Sequence, residues 1–254
     1  ELCKIDNLVI FSDEVYQLLY FDEPPPPSLS FFSENVISLG SFSKILAPSL
    51  RLGWIHTSKK YLDILCNSGI LDSSGGLNPI TSAIVNKIMI ENLLDTNLLF
   101  LRTELSKRCD VLYNTLIKNL PENIEIIKPL GGYFIWFNLG VKISSNDIKV
   151  HYGNKFSDND IFKNYVRLSF SYYNENELEI GAKRLGFNYK NNIIVGIQGS
   201  RGRFGSLILE EIKKLYQVEI IEKNTQCFNC NIIIDVSSPE GTLGLIDKLK
   251  DKKI

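Results

Sequence analysis

The chain has 254 residues, 44% of them hydrophobic and 22% charged, with a formal net charge of -1. These are ordinary proportions for a globular protein. Near-neutral charge removes the electrostatic reason to expect nucleic acid or an anionic membrane surface as a partner, and no apolar run approaches the roughly 20 residues of a membrane helix. The five cysteines, Cys3, Cys66, Cys109, Cys227 and Cys230, are odd in number and mostly far apart, which suits reduced thiols and predicts a cytoplasmic location. No basic-then-apolar leader opens the sequence. It starts at Glu1 and its one methionine is Met89, so the expectation is a piece of a longer product.

Strands and helices alternate, which predicts an α/β protein. Residues 7–12 and 36–40 are nearly continuous apolar runs, as expected of short, buried parallel strands. The four prolines at 24–27 make the connection a surface loop. A third strand is expected at 51–56, then a helix at 58–67. Asn78-Pro79 opens a helical pattern that runs, with a break near 95, to about Leu120. From 124 the texture shifts to shorter strands, at 124–128, 133–139 and 165–170, with a helix at 175–186; this predicts a smaller α+β domain. The polar residues 188–192 read as a break. After them come a strand (193–198), a glycine turn, a helix (203–215), strands at 217–222 and 231–236, and a helix at 240–250. The expected domains are 1–120, 121–187 and 188–254.

Three motifs stand in order: Ser12-Asp13-Glu14-Val15-Tyr16 at a strand end, Ser41-Phe42-Ser43-Lys44 after the next strand, and Pro48-Ser49-Leu50-Arg51-Leu52-Gly53. Each alone has a plain structural reading, since a strand-end Asp caps turns and a loop Lys is solvated. Together they fit one chemistry. A lysine that forms a Schiff base with an aldehyde cofactor needs surroundings that favour its neutral amine. A carboxylate against a pyridine nitrogen keeps that nitrogen protonated, so that the ring acts as an electron sink. Hydroxyls and a guanidinium beside the lysine suit a phosphate.

With these motifs the sequence resembles, over about residues 1–187, the class I/II aminotransferases of the fold-type-I pyridoxal-phosphate family. The resemblance implies a large-domain portion of that fold plus its small α+β domain. It implies pyridoxal 5'-phosphate as cofactor, amino acid and 2-oxo acid substrates, and a homodimer. It makes Lys44 the Schiff-base lysine, Asp13 the pyridinium partner, Tyr16 the donor to the cofactor's 3-oxygen, and Ser41, Ser43 and Arg51 its phosphate ligands. Gly131-Gly132-Tyr133-Phe134 matches the family's glycine-aromatic strand. VHYGNKF at 150–156 resembles its V-x-x-P-G-x-x-F segment, with Tyr152 in the proline's place. Tyr165-Val166-Arg167-Leu168-Ser169-Phe170 resembles the strand whose arginine, here Arg167, clamps the substrate α-carboxylate; the structural alternative is an interdomain ion pair. The GSFSK stretch with Ser74-Gly75-Gly76-Leu77-Asn78-Pro79 looks closest to the 2-aminoadipate and multi-substrate branch. The ring-stacking aromatic, first phosphate amides and cofactor-contacting Asn of the family would precede Glu1, leaving a half-pocket.

Residues 193–205 place Gly199-x-x-Gly202-x-x-Gly205 between a strand and a helix, an altered form of the turn that lets a backbone approach a pyrophosphate. A plain tight turn is the alternative. Glu222 ends the next strand, near where an acidic ribose partner belongs. With Ile233-Ile234-Asp235-Val236-Ser237-Ser238-Pro239-Glu240-Gly241-Thr242, the segment 193–254 is similar to the N-terminal part of dihydrodipicolinate (4-hydroxy-tetrahydrodipicolinate) reductase, of the diaminopimelate route to lysine. That likeness implies a partial Rossmann-like domain binding NADH or NADPH through Gly199, Ser200, Gly202, Arg203, Phe204, Gly205 and Glu222, with Phe204 where methionine is usual. Lys223 and Arg203 can instead accommodate a 2'-phosphate. Cys227 and Cys230 lack a second ligand pair and precede a strand, so no metal or redox site is expected. The expectation is two consecutive enzymes fused on one polypeptide, the 254-residue piece alone being inactive. The alternatives are a nucleotide-sensing module on an aminotransferase, or an artefactual joining of neighbouring genes.

Overall fold

The computed structural model describes residues 8–72, 76, 78–143, 148–192, 194–214, 216–222 and 230–250. Cys3, Ser74, Gly75, Leu77, Lys223 and Cys227, each singled out by sequence, lie outside them. The chain divides into two compact units. The first is Glu1–Val111 with Ile127–Ile135 and Ser169–Glu175; the second is Leu112–Ile126, Trp136–Leu168 and Asn176–Ile254.

The first unit is built on a three-stranded sheet of order β1-β2-β3: β1 Ile10–Asp13, β2 Val36–Ser41, β3 Gly53–Thr57. β1 and β2 are parallel and β3 is antiparallel to β2. Val36 and Ile37 are buried as an apolar run requires, but β1 departs from the expectation of burial on both faces: Phe11 is 68% exposed. Burial along β1 alternates residue by residue, so among the described residues one face of β1 is covered and the other open. The expected third strand begins two residues late, at Gly53, because Pro48–Leu50 form a 3-10 turn and Arg51 takes a left-handed conformation. Its helices are α1 Phe42–Ile45, α2 Lys59–Cys66, α3 Gly69–Asp72, α4 Pro79–Ile90 and the part of α5 (Leu93–Asn119) up to Val111. Asn78 caps α4 by accepting from Ile80 N–H at 3.0 Å, with Pro79 at the first helical position. The break expected near 95 falls at Glu91–Asn92, where Asn92 adopts a φ of 56°.

β4 Phe134–Asn138, β5 His151–Tyr152 and β6 Tyr165–Ser169 form a sheet of order β4-β6-β5, of which Trp136–Asn138, β5 and Tyr165–Leu168 belong to the second unit. Trp136 stacks on Tyr165 at 5.3 Å between ring centres and meets Phe156 and Phe162 edge-on. No strand forms at 124–128: Ile124 and Ile126 bury alternate side chains, but no strand pairs with the segment. The expected break at 188–192 is also absent, since α6 runs Glu175–Asn192. Leu178, Ala182, Leu185 and Tyr189 recur at helical spacing and are all buried, so packing overrides the polar composition of the last turns. Gly186 brings α6 so close to α5 that a methyl there would stand 2.7 Å from the Asn119 carbonyl oxygen.

The chain then forms β7 Ile194–Gln198, α7 Arg203–Lys213, β8 Gln217–Ile221, β9 Ile232–Asp235 and α8 Pro239–Lys250. β7 lies between β8 and β9, parallel to both. Ile221 and Leu245 are buried together with Cys230, Ile233 and Leu249 packed against them. Among the described residues no helix is long and apolar enough to cross a membrane, and no group of three metal-ligating side chains assembles.

Candidate active site and a second cleft

The parallel strands β1 and β2 end at Asp13 and Ser41. Ser41 pairs with Gly53 at the start of the antiparallel β3, so Arg51 enters from that same edge of the sheet. Topology thus brings Asp13, Ser41, Ser43, Lys44 and Arg51 to the strand ends where open α/β sheets hold ligands. Ser41 caps α1, its hydroxyl accepting from the Ser43 N–H at 3.2 Å. Lys44 follows on the same turn, half-buried, with its nitrogen 5.6 Å from the centre of the Tyr16 ring. Tyr16 packs edge-on against Tyr133 at 5.3 Å and Phe134 at 6.2 Å. Gly131 allows this approach: a methyl there would sit 2.4 Å from the Leu19 carbonyl oxygen, and Gly132 N–H donates to that carbonyl at 2.8 Å.

The Asp13 carboxylate is exposed and accepts from the Val15 N–H at 3.3 Å, so it also fulfils the turn-capping role. Arg51 holds φ 50° and ψ 38°, a conformation that costs an L-residue other than glycine about 1–2 kcal/mol. Such strain, kept where a charged side chain meets a strand end, accords with a binding role. Carboxylate, amine, phenol, two hydroxyls and guanidinium are the donor set that a phosphorylated pyridine aldehyde requires, and the residues fit that group. Arg167 belongs to the second unit. It pairs with His151 across β5 and β6, and its guanidinium carbon lies 4.0 Å from the centre of the Phe156 ring. Tyr152, in the proline's place, is fixed through its hydroxyl, which accepts from the Ile143 N–H at 2.8 Å.

Sequence reasoning gave no role to Glu14. One of its carboxylate oxygens accepts from Ser12, Ser28 and Ser38 hydroxyls at 2.9, 3.0 and 3.0 Å and from the Leu29 N–H at 3.2 Å. Burial alone would raise this carboxyl, but the hydrogen bonds together outweigh it and hold it below its ordinary value. Ser28 and Ser30 extend the network to His56 Nδ1, 2.8 Å from the Ser30 hydroxyl. The signal available in the sequence was the run of small hydroxyls around the four prolines.

In the second unit, a cleft of about 710 Å³ opens at the C-terminal ends of β7, β8 and β9. Gly199, Ser200, Arg201 and Gly202 line it from the glycine turn, Glu222 from the end of β8, and Ser237, Glu240 and Gly241 from the start of α8. Arg203, Phe204 and Gly205, also expected there, are not among its lining residues: Arg203 and Phe204 open α7 on an exposed side, and Gly205 is buried beneath the turn. The glycines differ in what requires them. Gly199 has φ +82°, and a methyl at Gly205 would stand 2.1 Å from the Gly199 carbonyl oxygen, so the chain itself demands both. A methyl at Gly202 would meet nothing closer than 3.4 Å. Sequence reading missed Arg201, which pairs with Glu222 across the cleft, and Gln198, which is buried and donates to the Gly241 carbonyl at 2.7 Å.

The sequence profile of the family described as Aminotransferase class I and II matches residues 1–185. Aromatic-amino-acid aminotransferase 1 of Thermococcus litoralis is 30% identical over an alignment of 206 residues that covers 76% of this chain and 49% of that protein. Among solved structures, the kynurenine aminotransferase of Pyrococcus horikoshii, in complex with PMP, superposes with a TM-score of 0.65 at 27% identity, over 74% of this chain and 49% of the other. The multiple substrate aminotransferase of Thermococcus profundus gives a TM-score of 0.65 at 28% identity with the same coverage, 74% and 49%. The chain spans about half the length of the curated relatives it matches.

Proposed function

Because the chain belongs to the class I and II aminotransferases, we propose that it carries pyridoxal 5'-phosphate-dependent transfer of an amino group between an amino acid and a 2-oxo acid. The observation that supports this most is Lys44, on the first turn beyond β2, at the sheet edge shared with Asp13 and Arg51. When bound, the cofactor supplies an aldehyde and a ring that accepts electrons. Lys44 provides the amine that holds it. With the cofactor bound, Asp13 would keep its ring nitrogen protonated, Tyr16 would donate to its 3-oxygen, and Ser41, Ser43 and Arg51 would hold its phosphate. Arg167, steadied by the face of Phe156, binds the substrate carboxylate as a fork. The multiple-substrate neighbour supports a place in the 2-aminoadipate and multi-substrate branch, the family likeness supports a homodimer, and the scattered cysteines support a cytoplasmic location. Reduction with borohydride followed by peptide mapping tests the reading: the label belongs on Lys44 and on no other lysine.

The cleft at Gly199–Gly202 favours a second reading for residues 188–254, the nucleotide-binding part of a reductase of the 4-hydroxy-tetrahydrodipicolinate type using NADH or NADPH. Its support is the motif likeness together with a parallel three-stranded sheet and a glycine turn at its strand ends. On that reading the two activities are consecutive in diaminopimelate and lysine biosynthesis. A non-catalytic nucleotide sensor would bind the dinucleotide without oxidising it. Recovery of one polypeptide carrying both parts from its source excludes an artefactual joining of two genes.

A further inference from the structure

The reacting lysine sits on the weakest kind of support. α1 is a four-residue helix, closed at its C-terminal end by a hydrogen bond from Leu46 N–H to the Phe42 carbonyl at 2.8 Å. A helix end leaves its last carbonyls without intrahelical partners, and here these include the carbonyls of Lys44 and Ile45. Both are nevertheless satisfied, by side chains from distant elements. The Tyr133 hydroxyl donates to the Lys44 carbonyl. The Asn97 side-chain amide, from the second turn of α5, donates to the Ile45 carbonyl at 2.6 Å. Ile45 is 1% exposed, so the grip lies at a buried point.

Tyr133 is itself fixed from three sides. Its ring packs edge-on against Tyr16, whose own ring faces the Lys44 nitrogen. Its carbonyl accepts from the Phe170 N–H at 3.0 Å, and the preceding Gly131 is bridged to Tyr20. Burial, with Tyr16 adding to it, pushes the Tyr133 phenol above its ordinary value, so the hydroxyl remains a donor across the neutral range.

We propose that Tyr133 and Asn97 are positioning residues for Lys44: they hold the main chain of the cofactor-binding lysine from outside its own helix and so set where its amine stands. This rests on the reading of Lys44 as that lysine. Reaction rates respond steeply to such placement, since a misplacement of about 1 Å costs on the order of a hundredfold. The same two hydrogen bonds explain how a single helical turn serves as a rigid mount.

The test uses the holoenzyme carrying Tyr133→Phe, which keeps the ring and removes only the donor, and Asn97→Ala, which removes the second donor independently. Each is expected to lower kcat about tenfold with KM within about twofold, and the pair together by about a hundredfold. The absorbance of the Lys44–cofactor linkage, titrated against pH, should move its midpoint by about half a unit or more, because the amine's surroundings change. Parental kcat and an unmoved midpoint in both folded variants would overturn the proposal. So would a loss confined to thermal stability, with the cofactor-loaded fraction keeping full kcat. Lys44→Ala serves as the separate control: covalent labelling that persists there removes the assignment of Lys44 and, with it, the positioning role.

Discussion

The side-chain nitrogen of Lys44 lies 5.6 Å from the centre of the Tyr16 ring. That distance is within the range of a cation–π contact, so the nitrogen and the phenol ring are direct neighbours. Lys44→Ala is expected to abolish the borohydride-fixed cofactor linkage. Tyr16→Phe keeps the ring and loses the phenol oxygen, so it should retain the linkage while weakening cofactor retention by about tenfold, the value of one charge-assisted hydrogen bond. Mass spectrometry of the reduced protein and equilibrium dialysis read the two effects. A label retained in Lys44→Ala would show that another lysine carries the cofactor.

Arg51 separates stability from binding. Its φ of 50° is a conformation glycine adopts without cost. Arg51→Gly should leave the melting temperature unchanged or higher while cofactor affinity falls by about tenfold or more, through loss of a bidentate phosphate ligand. Thermal melts of the apo protein and cofactor titration check this. Unchanged affinity would take Arg51 out of the phosphate site.

Glu14 predicts an acid limb. Its carboxyl is held below the ordinary carboxylate range in the folded protein. Its contribution is therefore complete above that range and is lost as pH falls through the lowered value, when protonation weakens its acceptance from Ser12, Ser28, Ser38 and Leu29. Glu14→Gln should be less stable than the parent at neutral pH, and the difference should shrink as the medium is made acid. Melting temperature against pH gives the comparison; a difference constant across the acid range would refute it.

The glycine turn offers a matched pair. Gly205→Ala forces a methyl to 2.1 Å from the Gly199 carbonyl oxygen and should destabilise the protein by about 1–3 kcal/mol or more. Gly202→Ala meets only ordinary contacts and should fold well. Its methyl nevertheless stands at the N-terminus of α7, where on the proposed dinucleotide reading a pyrophosphate would approach closely, so dinucleotide affinity should fall by about tenfold. Fluorescence titration with NADH decides: full affinity in a folded Gly202→Ala excludes the pyrophosphate from this turn.

On the proposed dinucleotide reading, the choice between NADH and NADPH would turn on Arg201 and Glu222. Their side chains are 84% and 53% exposed, so the pair holds with about 0–1 kcal/mol and exchanges readily for a ligand contact. The expectation is use of both dinucleotides with a modest preference for NADH, through Glu222 accepting from the ribose 2'-hydroxyl. Glu222→Ala should reverse the preference, leaving Arg201 to a 2'-phosphate. A strong NADPH preference in the parent that survives Glu222→Ala would contradict this.

The sequence made the strand ends legible because chemistry and topology coincide there. Asp13, Ser41, Lys44 and Arg51 each follow a recognisable apolar run, and the parallel pairing of β1 with β2 brings the first three to one edge. Arg51 joins them although β3 runs the other way, which its flanking residues do not announce. The supports were hidden for a different reason. Asn97 is one polar residue inside a long helix, and Tyr133 reads as one more aromatic; only the fold brings their donors to the carbonyls of Lys44 and Ile45. Arg201 was obscured by the glycines around it. The burial of β1 was overestimated because an apolar run does not reveal whether both faces of its strand are covered. The segment 188–192 was misread because a single buried Tyr189 outweighs four polar neighbours.

That uninterrupted α6 matters to anyone dividing the molecule. Composition invites a cut at 188, just where a polar stretch resembles a tether between modules. Yet the residues there are helix, and Tyr189, at 6% exposure, is one of the side chains that α6 buries. Scissors placed at 188 would remove that anchor from one product and leave an aromatic side chain bare at the start of the other. Proteases that seek unfolded segments should pass over this stretch, and halves intended for separate expression keep their cores only if α6 stays whole through Asn192.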